Sequence, residues 1–152
     1  MEKMMTMSHG PIQTVAQAND GYVEAPGYFS GIISKEVVGE DVDAYELLYM
    51  DGTAEEFMLA DADAAGEAPC QCMALESGED GDYIKVLWFG RVRNDGVTYT
   101  EGGALYLDDT AGAITQTAPD TEDDVLQIVG YALSATEFVF NPQLNTDLVP
   151  AA

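Results

Sequence analysis

Positive charge is scarce in this sequence: five Lys and Arg residues face 28 Asp and Glu, for a formal net charge of −23. That scarcity excludes a phosphate-neutralising nucleic-acid surface, which is built from Lys and Arg. An anionic membrane face repels such a chain for the same reason. Neither nucleic acid nor membrane is therefore expected as a partner. Histidine occurs once, at His9, in a stretch with no sign of a fixed pocket, so nucleophile–histidine pairs have little to draw on. The two cysteines, Cys70 and Cys72, are too close in sequence for an ordinary stapling disulfide. On one strand they would share a face, and they read as small buried side chains. No apolar run approaches the roughly 20 residues that a membrane-crossing helix needs. The opening Met1-Glu2-Lys3-Met4-Met5 lacks the apolar stretch of about 7–15 residues found in secretory signals, so synthesis in the cytoplasm is expected.

Catalytic signatures are missing as well. There is no glycine-rich phosphate loop, no dinucleotide fingerprint and no zincin pair. Carboxylates are so frequent that their pairing identifies no general acid and base. The expectation is a non-enzymatic protein with no catalytic residue and no cofactor. Calcium is the more serious candidate ligand. Asp61-Ala62-Asp63-Ala64-Ala65-Gly66 begins like an EF-hand loop, but its fifth position is Ala65 and its twelfth is Cys72, where oxygen donors are required. Glu76, Glu79, Asp80 and Asp82, and Asp120, Glu122, Asp123 and Asp124, could gather a hard cation. Solvated acidic loops are the simpler reading, and no metal site is assigned.

What the chain does have is a strand-and-turn pattern. Its 152 residues suit one full domain, and 47% hydrophobic content can fill a core. Residues 1–35 are punctuated by Gly10-Pro11, Asn19-Asp20-Gly21, Pro26-Gly27 and Gly31, too densely for a regular element. Apolar residues are scattered among them, so this stretch reads as an extended N-terminal arm. Residues 36–152 read as the body. Glu46–Met50 and Glu56–Leu59 flank Asp51-Gly52, a strong hairpin signal. Ala60–Ala68 reads as a loop or single helical turn, and Pro69–Leu75 as a strand.

Tyr83–Arg93 is the clearest strand. Strict alternation puts Ile84, Val86, Trp88 and Val92 on one face, and Tyr83, Lys85, Leu87, Phe89, Arg91 and Arg93 on the other. Val97–Thr100 reads as the start of its return strand. Ala104–Leu107 pairs with Ala113–Thr117. Val125–Leu133 reads as a central strand buried on both faces, in preference to a short helix. Glu137–Phe140 closes the set. The fold class expected is all-β, a small β-barrel or sandwich (β-tulip-like) with an extended N-terminal arm.

The segments Tyr28–Glu36, Ala60–Gly66, Cys72–Glu76 and Tyr83–Asn94 together resemble the head-decoration, or capsid cement, proteins of tailed phages and related viruses. Gly103–Leu107 through Ala118-Pro119, and Gln127–Leu133, are similar to modules of virion surface proteins, fibres included. The resemblance spans about residues 28–142. It implies a homotrimer on the outer capsid surface of a virion, whose arms clamp adjacent subunits of the major capsid protein. Tyr22, Val23, Tyr28, Phe29, Ile32 and Ile33 would be the partner-binding residues of that arm. A virion fibre or receptor-binding module, and an acidic calcium-binding adhesion module, stay open as alternatives.

Overall fold

A computed structural model describes residues 29–151. Eleven strands and one 3-10 turn, Ala65–Glu67, make up the regular structure of these residues. The strands are β1 (Phe29–Val37), β2 (Leu47–Asp51), β3 (Glu56–Leu59), β4 (Cys72–Ala74), β5 (Tyr83–Arg93) and β6 (Ala104–Leu107). After them come β7 (Ile114–Thr115), β8 (Val125–Leu126), β9 (Ile128–Ala132), β10 (Glu137–Phe140) and β11 (Asp147–Leu148). The all-β expectation holds. Nine strands form one antiparallel sheet in the order β3-β2-β4-β5-β10-β9-β6-β7, with β1 also paired to β5. β11 and β8 form a separate small ribbon.

The sheet curls because β5 is shared. Its first half pairs with β4 and its second with β10, while β1 runs along its whole length. At the far end of β1, Val38 bridges to Phe57 of β3, and the Gly39 N–H donates to the Phe57 carbonyl at 2.9 Å. This contact ties the two ends of the curl together.

Two cores lie on opposite faces of the curled sheet. Leu47, Met73 and Leu87 enter a larger core with Ile33, Val92, Leu105, Leu107, Val129, Phe138 and Phe140. Their strand neighbours Leu48, Cys72, Ala74 and Val86 enter a smaller core with Val38, Val42, Phe57 and Ile84. Thus Leu47-Leu48 of β2, all of β4 and Val86-Leu87 of β5 are buried on both faces, which period-two alternation permits only when both faces are apolar.

The structure departs from the alternation pattern at several points. Strict alternation fails in β5, because the pairing with β1 jumps from Ile32↔Phe89 to Ile33↔Leu87 and leaves Trp88 as an extra residue. A bulge reverses the facing of all that follows. Val92 therefore joins Leu87 in the larger core, while Ile84 and Val86 fill the smaller one with Trp88 packed beside them. The cysteines, both free and buried, do not share a face. Cys70 precedes β4 and enters the larger core, and Cys72 enters the smaller one. Val97–Thr100 forms no strand: the Tyr99 N–H donates to the Ala135 carbonyl at 2.9 Å, and the Gln116 amide bonds both the N–H and the C=O of Thr100. The hairpin after β2 does form, but through a four-residue loop in which Glu55, not Gly52, has positive φ.

Candidate functional site

The expected partner-binding residues separate. Tyr22, Val23 and Tyr28 lie outside the described residues. Phe29, Ile32 and Ile33 belong to β1, so the sheet begins seven residues before the expected boundary at 36. Ile33 is buried in the larger core and Phe29 packs against it, whereas Ile32 on the opposite face is 43% exposed. Alternation along β1 makes this division. Further along the same face as Ile32, Ser34 is buried and Val38, just beyond β1, belongs to the smaller core, so the exposure is local to Ile32.

Ile32 is not alone. Its register partner Phe89 is 47% exposed, and Tyr131 two strands further across the sheet is 48% exposed. Between them stand Arg91 and Val139, which are paired with each other, and Val139 is paired in turn with Tyr131. The Arg91 guanidinium donates to Glu137 at 2.6 Å, a diagonal cross-strand ion pair on this same face. The arrangement is three large apolar side chains around a half-buried Val139 and a neutralised arginine. Phe89 had a signal in the sequence, as an apolar residue on a face shared with basic ones. Tyr131 had none, because it sits in a run that reads as buried on both sides.

A shallow cleft of about 190 Å³ opens on another part of the molecule, lined by Tyr45, Glu46, Asn94, Tyr99, Ile114 and Phe138 among others. Tyr45 has φ of 75°, in the left-handed region where a bulky residue is strained. Burial raises the pKa of Glu46, with the charges of Asp43 and Glu40 adding to it and a hydrogen bond from the Asp43 N–H opposing. Burial also pushes the Tyr99 phenol up to about 12. The lining holds one carboxyl and two phenols, all shifted toward their protonated forms, and this offers no paired acid and base.

Both thiols are held above the ordinary cysteine range by burial, so neither is poised as a thiolate. Among the described residues no helix is long and apolar enough to cross a membrane. Compared with known proteins, the chain matches no family model and no curated sequence.

Proposed function

We propose that this chain is a structural protein of a virus particle, decorating and stabilising the outer surface of the capsid by spanning adjacent major capsid protein subunits. One observation supports the reading: β1 opens at Phe29, and three residues further on Ile32 and its register partner Phe89 are both exposed. An apolar patch on a rigid sheet, continuous in sequence with an apolar, glycine-punctuated leader, lets body and leader grip one surface together. Burial there contributes ~25 cal/mol per Å² before ordering costs.

Because Ile33 is committed to its own core, the grip rests on Ile32, Phe89 and the leader residues Tyr22, Val23 and Tyr28. In a homotrimer, three such grips strengthen attachment through effective concentration. The net charge of −23 keeps finished particles apart.

The test is to band virus particles from cells producing this chain and image them by electron cryomicroscopy. The expected result is the chain on the particles, as symmetric three-lobed density outside the shell. Particles that band without the chain overturn the proposal. Deleting residues 1–28, or replacing Ile32 and Phe89 together by Ser, is expected to leave a folded body that attaches weakly. Attachment equal to that of the wild type in both variants rejects the joint grip.

A further inference from the structure

We propose that residues 61–63, 108–109 and 120–124 form a binding site for a hard divalent cation of the calcium class, with Asp124 as its innermost ligand. The site would exist whatever surface the protein attaches to.

The geometry begins at Ala62, which is fully buried. Its N–H donates to the Asp108 carbonyl at 2.9 Å, and its carbonyl accepts from the Val125 N–H at 2.7 Å. These two bonds lock three distant segments of backbone side by side. Carboxylates stand at or next to every point of the lock: Asp61 and Asp63 flank Ala62, Asp109 follows Asp108, and Asp124 precedes Val125. The position of Asp124 is fixed further, since its N–H donates to Thr121 at 3.1 Å and its carbonyl accepts from Val149 at 2.8 Å.

Asp124 supplies the second, independent observation. It is 4% exposed, and its Oδ2 atom is buried with no hydrogen-bond partner. A buried carboxylate oxygen without a donor is costly and calls for a ligand. Desolvation raises its pKa first, then the charges of Asp109, Asp63 and Asp120, so these carboxylates are its electrostatic neighbours. Asp109 also raises Asp61 and Asp108, which makes it the common neighbour of the cluster.

No countercharge comes from the protein's own described cations. Lys35 lies on β1, and Lys85, Arg91 and Arg93 lie on β5. Arg91 is bonded to Glu137, and Arg93 to Asp95. Among the described residues, only protons or ions from solution are left to neutralise the cluster.

The donor set selects the ion. Only oxygen is offered, with neither His nor Cys in these three segments, which disfavours zinc. Calcium takes about six to eight oxygens at variable angles, water included, and magnesium demands stricter octahedral geometry. Among the described residues no three such side chains are already gathered to hold a metal. Asp63, Asp109 and Asp120 are exposed, which leaves their side chains room to change rotamer as a cation binds.

The experiment titrates CaCl₂ into the full chain after chelator treatment, following Tm and the heat of binding. MgCl₂ and NaCl at matched ionic strength run alongside, because any cation screens so acidic a protein. Expected is a saturable Tm rise with one calcium per chain, reversed by chelator and larger than either control. Asp124→Asn should weaken binding at least tenfold, and Glu101→Gln, in an exposed turn elsewhere, should leave it unchanged. If Asp124→Asn does not fold, the exposed pair Asp63→Asn and Asp109→Asn carries the same expectation. A calcium response equal to that of NaCl or MgCl₂, or undiminished in these variants, overturns the site.

Discussion

The side-chain amide of Gln127 pairs with the main chain of Cys70 in both directions, as a neighbouring strand would. Its Oε1 accepts from the Cys70 N–H at 2.7 Å, while its Nε2 donates to the carbonyls of Cys70 at 2.8 Å and Gln143 at 3.0 Å. Gln127 is 1% exposed and sits in the gap between β8 and β9. It replaces ladder bonds that Cys70, outside any strand, does not make.

Gln127→Ala should leave the buried Cys70 N–H and C=O unpaired, at about 1–3 kcal/mol for each group. Gln127→Glu should be worse than its size suggests, because a carboxylate accepts but cannot donate to the two carbonyls. Urea denaturation of both variants is the check. An Ala variant within about 0.5 kcal/mol of wild type rejects the clamp.

Gly31 and Gly90 face each other across β1 and β5, both with positive φ. A Cβ built on Gly90 overlaps the Ser30 carbonyl oxygen, and one on Gly31 overlaps that of Phe89. Backbone cannot yield there as a flexible side chain would. Gly90→Ala should destabilise by about 3 kcal/mol or more, measured as a lowered urea midpoint at constant slope. Gly52→Ala, in an open turn, is the control and should change little.

Trp88 is the sole tryptophan, so its fluorescence reports on the bulge. Its Nε1–H donates to Ser34 Oγ at 2.7 Å, Ser34 donates to Glu36 at 2.6 Å, and its ring meets Phe57 edge-on. Trp88→Phe should keep most of the packing and lose the hydrogen bond, costing about 1–2 kcal/mol. Ser34→Ala should cost a similar amount and shift the emission maximum. An unchanged spectrum would show that the indole N–H bonds elsewhere.

Acid should stabilise this protein over part of its range. Glu46, Asp61, Asp108 and Asp124 all have raised pKa values, with desolvation the leading cause in each. A carboxyl whose folded pKa exceeds its unfolded value favours the folded state when protonated. That contribution is complete below the ordinary carboxylate range and is lost as pH rises through the folded values. In chelator, Tm should therefore rise as pH falls from 7 toward 5, and rise less in Asp124→Asn. A falling Tm over that interval contradicts the sign.

Much of the fold was legible because its strands are bounded by turn residues. Tyr83–Arg93 and Glu137–Phe140 are readable to the residue, one before Asn94-Asp95-Gly96 and the other before Asn141-Pro142. The bulge at Trp88 was not legible, since it is set by the register against β1 and by no residue type of its own. Val97–Thr100 has strand composition, yet Gln116 and Ala135 bond its backbone instead. Phe29, Ile32 and Ile33 could be picked out as apolar residues among glycines, but only pairing with β5 decides which of them faces outward. Asp124 is one acid among many in sequence. Its isolation depends on two loops contributed from some 15 and 60 residues away.

β5 belongs to both cores, giving Leu87 and Val92 to one and Ile84 and Val86 to the other. No cut in the chain can separate a self-sufficient half, because whichever piece loses this strand loses the wall of its interior. The molecule should melt in a single transition, and a protease nicking the Asn94–Gly96 turn should release no stable fragment.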